Sequence, residues 1–246
     1  MYKLSFILLC FLLPNLLFAQ KNKKGDYTFA DIQPVVVDAN VADWGNQLTQ
    51  VPGDLWSFGL SLDGDQLFVA MVINDVQLQR EAFRGGLFVD ISYNGKKKEG
   101  ARLQFPYWDS ERRRAMANDE ELRHKDAAME LIKNVNGYFL TGFARVRDGV
   151  LALENDYGVR AKATVDSNKC LIYEACIPLE LIGLKDDLIT VNLGVNTQYA
   201  MLKMAASKTN RNTNMYPMMY RSTFHTTLKK PYASDTDVWV YGKIKK

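Results

Sequence analysis

The chain has 246 residues, a formal net charge of +3, and 24% charged residues of both signs interspersed along its length. That is enough for one large domain with a full hydrophobic core. The mixed charge excludes the basic footprint of a nucleic-acid binder.

The first residues, MYKLSFILLCFLLPNLLFAQ, read as a secretory signal peptide. Lys3 gives a positive start, an apolar run follows, and Leu17-Phe18-Ala19 resembles a cleavage site. The run is short and is broken by Pro14 and Asn15, which argues against a membrane span. Cys10 lacks the small residues that precede a lipidated cysteine, so no lipid anchor is expected. The organisation expected is therefore a signal peptide over 1–19, a leader over 20–33 and one folded domain over 34–246. The product is expected to cross the inner membrane and to work in the periplasm or outside the cell. No later run is apolar enough to span, so no membrane span is expected after cleavage.

At the start of the domain stands VVVDANVADWGN, residues 35–46. Asp38-Ala39-Asn40 begins like a calcium loop. An EF-hand would need glycine at the sixth position, which is Asp43, and a bidentate acid at the twelfth, which is Thr49. An EF-hand is thus excluded. A structural corner fits better: 35–37 as a first strand, Asp38 and Asn40 turning onto their own backbone, and Trp44 plugging the end of the domain with an indole N–H that needs a partner.

From there the dominant period is two. Residues 55–62 and 66–74 read as strands joined by Asp63-Gly64-Asp65, a hairpin signal. Residues 86–93 and 101–107 repeat the pattern around Asn94-Gly95 and a lysine-rich tip, and 138–145, 159–165, 169–177, 190–198 and 238–243 add further strands. One helix is expected near 119–133, opened by Asn118-Asp119-Glu120-Glu121 and carried by Leu122, Met129 and Ile132. Residues 178–184 suggest a single turn. Cys170 and Cys176, on one face of a strand and about 20 Å apart, cannot bridge each other and read as small buried residues. The expected fold is all-β: a single antiparallel β-sandwich, jelly-roll or immunoglobulin-like, with one inserted helix.

The series VDANVADW, LFVAMVIND, GGLFVDIS and LIYEACIPLELIGL resembles the family 9 carbohydrate-binding modules and the wider DOMON-like sandwiches. The matching positions are Val37, Asp38, Asp43 and Trp44, then the run 67–75, then Glu174, Ile177 and Pro178, and the likeness extends from about residue 34 to 241. Gly85-Gly86 and the 94–98 tip are similar to secreted proteins of Gram-negative, Bacteroidetes-type bacteria. The resemblance implies a non-catalytic secreted module that recognises a glycan or polysaccharide. It implies no cofactor, and leaves a structural calcium outside the EF-hand pattern open.

Sugar binding needs flat aromatic faces and a few polar groups for hydroxyls. RLQFPYWD, residues 102–109, supplies them: Arg102 and Gln104 on one strand face, Tyr107 and Trp108 at the strand end, where function concentrates. The expected ligand-binding residues are Trp108, Tyr107, Arg102 and Gln104. Trp56 and Phe58 read as core or platform, and Trp239 as core. Enzyme signals are thin: neither His124 nor His225 falls in an H-E-x-x-H spacing, there is no G-x-S-x-G elbow, and carboxylates are plentiful enough for a glycosidase pair but nothing marks one. Two other readings stay open. One is an envelope scaffold or protein-interaction domain with no sugar site, using the 210–220 loop as a contact with envelope proteins. The other is a haem-binding DOMON-type electron-transfer domain using Met71, the methionines of 201–219 and His225.

Overall fold

The computed structural model describes residues 27–32, 34–93, 100–109, 111–112, 115, 132, 135–184, 187–200 and 236–244. Eleven strands and one helix organise them: β1 (Thr49–Gln50), β2 (Trp56–Asp63), β3 (Gln66–Ile73), α1 (Val76–Gly85), β4 (Leu87–Tyr93), β5 (Ala101–Phe105), β6 (Gly137–Thr141), β7 (Gly149–Ala152), β8 (Arg160–Val165), β9 (Leu171–Pro178), β10 (Leu188–Val195) and β11 (Asp237–Lys243). They form two antiparallel sheets, a five-stranded one in the order β1-β2-β3-β9-β8 and a six-stranded one in the order β11-β10-β4-β5-β6-β7. The protein is an all-β sandwich.

Alternation builds the layer between the sheets. Leu67, Val69, Met71 and Ile73 of β3 and Leu171, Tyr173, Ala175 and Ile177 of β9 face inward from one sheet. Leu87, Val89 and Ile91 of β4 and Ile189, Val191, Leu193 and Val195 of β10 meet them from the other. Burying each of the Leu, Val, Ile and Met side chains among them contributes about 1.5–3 kcal/mol.

The five-stranded sheet is covered on its outer side too. Ala30, Ile32, Val35 and Trp44 pack on Phe68, Ala70 and Cys176 to make a second core. This is why β9 is buried at every position rather than at alternate ones. The corner expected at Trp44 is present. Asn40 N–H donates to Asp38 Oδ1 (2.8 Å) and Ala42 N–H to Asn40 Oδ1 (3.2 Å), which opens a 3₁₀ turn over Val41–Trp44. Trp44 lies over Gly59, where an added Cβ would come within 2.5 Å of the ring.

The first strand expected at 35–37 does not form. Pro34 offers no N–H, and the Asp38 N–H turns back to the Val36 carbonyl (3.0 Å). The segment therefore crosses the face of the sheet, with Val35 buried and Val36 exposed, instead of pairing along an edge. The helix expected at 119–133 lies outside the described residues, except Ile132, which is helical and packs on the core. Two elements were not anticipated. The first is α1, capped by Asp75 Oδ1 accepting from Leu78 N–H (2.7 Å) and buried through Leu78, Ala82 and Phe83. The second is β7, whose neighbour β6 is followed by Gly142, a residue with φ +73° whose N–H donates to Asp148. The turn expected after Pro178 is the 3₁₀ segment Leu179–Leu181. Among the described residues no helix is long and apolar enough to cross a membrane.

Three tyrosines sit inside the sandwich, and burial pushes the pKa of each above the ordinary phenol value: Tyr27, Tyr138 and Tyr173. Tyr138 is satisfied, donating to the Leu153 carbonyl (2.5 Å) and accepting from Asn155 (3.1 Å). The Tyr173 hydroxyl is fully buried without a hydrogen-bond partner among the described residues. A folded-state pKa above the unfolded one favours folding below the unfolded value and withdraws that contribution as pH rises past it. Stability is expected to fall above about pH 10, with the buried phenolates appearing at 295 nm only as circular dichroism reports unfolding. Tyr173→Phe removes an unpaired buried hydroxyl. It is expected to hold or raise stability at pH 8, by up to about 1–3 kcal/mol, and to lessen the alkaline loss. Urea midpoints at pH 8 and 11 check both.

Candidate functional site on the six-stranded sheet

The outer face of the six-stranded sheet carries what the inner face cannot: polar side chains in register with aromatic ones. Strand pairing lines up Trp239, Asn192, Asp90, Arg102 and Thr141 in one row across five strands. A second row runs through Gly194, Phe88, Gln104, Phe139 and Val150. A third holds Tyr241, Thr190 and Ser92.

At the centre Arg102 grips Asp90 in a two-pronged pair, Nε to Oδ1 at 2.5 Å and Nη2 to Oδ2 at 2.7 Å. Asp90 is buried and Arg102 half-buried. The guanidinium also lies over the Phe88 ring, 4.7 Å from its centre. This fork fixes a planar donor array on the face at a geometry a lysine could not reproduce. Next to it, Asn192 Oδ1 and Thr190 Oγ1 are buried with no hydrogen-bond partner among the described residues. Orphaned acceptors on the same face as an oriented guanidinium are the kind of groups that a polar ligand or water satisfies.

Of the four residues expected from sequence, three belong to this region. Gln104 donates its amide to the Gly85 carbonyl (2.8 Å) and so is held in place. The same carbonyl accepts from Asn196 (3.1 Å). Gly86 (φ +83°) allows this approach, since a Cβ there would meet the Pro106 carbonyl at 2.6 Å. Tyr107 stacks on Phe139 with ring centres 4.5 Å apart and planes 17° from parallel, both rings half-buried. They form a flat aromatic step beside Gln104, and Val150, 63% exposed, continues the row.

Trp108 goes elsewhere. It is 5% exposed and belongs to the main core, and its indole N–H donates to the Phe83 carbonyl at the end of α1 (2.7 Å). Arg112 lies over its ring at 5.1 Å. The ring therefore presents no open face for a sugar to stack on. Trp56, buried completely, is core, whereas Trp239 is half-buried at the β11 edge, on the outer row.

Asp90, Asn192, Thr190, Phe88 and Phe139 were not singled out from sequence. The signal was present in LFVDISY and LITVNLGV, where polar residues alternate with core aliphatics inside strands. Alternation alone says that these residues face away from the core, not that Phe88, Asp90, Thr190 and Asn192 are buried there. Met71 is core; the other methionines of the haem reading and both histidines lie outside the described residues. Among the described residues no cluster of acidic, histidine or cysteine side chains is arranged to hold a metal. Comparison with family models, curated proteins and solved structures gave no match.

Proposed function

We propose that this protein is a non-catalytic secreted glycan-binding module and that it recognises its ligand on the outer face of the six-stranded sheet. The observation that carries this reading is the juxtaposition, on one face, of a fixed Arg102–Asp90 fork with the flat Tyr107–Phe139 step. A pyranose needs both parts: an aromatic plane for its apolar face and oriented polar groups for its hydroxyls. Arg102, Gln104 and Tyr107 take these roles. Trp108 supports them from beneath as a core residue. The likeness of the ordered motifs to family 9 carbohydrate-binding modules supports the same reading.

A glycan array on the folded protein, with calcium and with chelator, tests it. A reproducible hit is expected, weakened about tenfold or more in Tyr107→Ala, which removes the stack at a half-exposed position, and in Arg102→Lys, which keeps the charge but loses the fork. Silence from a folded sample would sink the proposal. A specific protein partner with no glycan shift would instead favour the scaffold reading, which the exposed Val150, Leu153 and Tyr157 around the β7 edge also support.

A further inference from the structure

The two sheets leave a cleft at the side where their edge strands β1 and β11 approach each other. It has a volume of about 270 Å³ and is lined by Tyr27, Thr49, Gln50, Phe58, Trp239 and Tyr241, with Val51, Pro52, Val238 and Val240 completing the walls. Among the described residues no acidic or basic side chain lines it.

From this geometry we infer that the cleft is a second binding site, at the β11 edge and away from the Tyr107–Phe139 step of the proposed glycan site, for a free small molecule: a flat, neutral aromatic ring carrying one hydrogen-bonding group, as in a simple phenol. Three observations carry the assignment. The first is size. Pockets for drug-sized ligands run to about 300–1,000 Å³, so this cleft holds one ring rather than a chain. The second is the lining. Four of the lining residues are aromatic, and Tyr27 and Phe58 are already stacked at 6.0 Å as one wall. Polar groups are few. The Tyr27 hydroxyl is engaged by the Leu60 N–H (3.1 Å) and by the Thr49 side chain, leaving chiefly Gln50. A sugar brings several hydroxyls, and each left unpaired on burial would weaken binding; a phenol brings one.

The third observation concerns the β11 edge. Tyr27 N–H donates to the Tyr241 carbonyl (2.9 Å) and Tyr27 bridges Gly242 in parallel. The edge is thus occupied at that point, and β1 is only two residues long. An added peptide strand would find no continuous ladder, so the space suits a small molecule rather than a docked strand.

Trp239 supplies the readout. In ¹⁵N spectra of the folded protein, its indole resonance is identified by its absence in Trp239→Phe. It is expected to shift saturably with p-cresol and at least tenfold more weakly with methyl β-glucoside. Gln50→Trp, which fills the cleft, is expected to abolish the p-cresol response while the Trp44, Trp56 and Trp108 indole signals stay in place, showing that the fold is intact. Arg102→Lys is expected to leave the response unchanged, because Arg102 lies outside the cleft; failure of the glycan proposal and failure of this one are therefore separable. No saturable shift, an equal or stronger response to the glucoside, or a p-cresol response that survives Gln50→Trp would each overturn the inference.

Discussion

Replacing Trp44 by alanine is expected to cost about 3–5 kcal/mol, the range for a large aromatic removed from a well-packed site. The ring is 1% exposed and rests against Gly59 of β2. Its indole N–H donates to Glu174 Oε1 at 2.8 Å. The other carboxylate oxygen of Glu174 accepts from the backbone N–H groups of Asp38 (3.0 Å) and Ala39 (2.8 Å). One acidic side chain in β9 therefore ties down the 38–44 corner. Register explains how. Gly59, Ala70 and Glu174 are paired across β2, β3 and β9, so two small residues clear a shelf for the indole and the third accepts its hydrogen bond. Burial pushes the Glu174 carboxyl up, while the three N–H donors pull it down. Glu174→Gln keeps the volume but turns one acceptor into a donor facing a donor. It is expected to cost about 1–3 kcal/mol, and Gly59→Val, which collides with the ring, more than that. Urea denaturation checks all three. A Glu174→Gln protein as stable as wild type would show that the latch does not hold the corner.

This latch was half legible in the sequence. Asp38, Asn40 and Trp44 announce a turn and a plug because each residue type carries its own local geometry. Glu174 lies 130 positions beyond Trp44, and no local pattern joins them; only the pairing of β3 with β9 does. The strands were legible for the reason that the latch partner was not. Period-two alternation is local, and the sandwich follows from it. α1 was hidden in VQLQREAFRG, where Val76 is exposed and Gln79 buried, so hydrophobicity alone blurs the helical stripe. Gln79 is inside because its amide bridges the Ile73 and Lys169 carbonyls, both at 2.8 Å. That reason lies in the tertiary structure.

The candidate site divides in the same way. Arg102 and Gln104 share a face because they are two residues apart in a strand, and sequence suffices to say so. Tyr107 and Trp108 lie beyond the end of β5, where the strand period no longer decides direction. One ring went out onto Phe139 and the other in under α1. An adjacent pair of aromatics after a strand cannot both face the same way while the chain stays extended, and the Phe83 carbonyl at the end of α1 selects which one is buried. Because α1 was not anticipated, neither was that choice.

Trp108→Ala is therefore expected to act on stability before it acts on any ligand. The variant empties a core site and leaves the Phe83 carbonyl without its donor, which together are expected to cost about 3–5 kcal/mol. Trp108→Phe separates the contributions. It keeps most of the ring packing and loses only the indole N–H, for about 1–3 kcal/mol. If the Tyr107–Phe139 step and the Arg102 fork form the recognition surface, Trp108→Phe should bind the same glycan with nearly unchanged affinity while melting at lower temperature. Tyr107→Ala should show the reverse, with stability nearly intact and binding lost. Thermal melts and array binding on the two variants decide between the alternatives. Loss of binding in a stable, folded Trp108→Phe protein would return the ring to the ligand site and place the sugar near α1 rather than across the sheet.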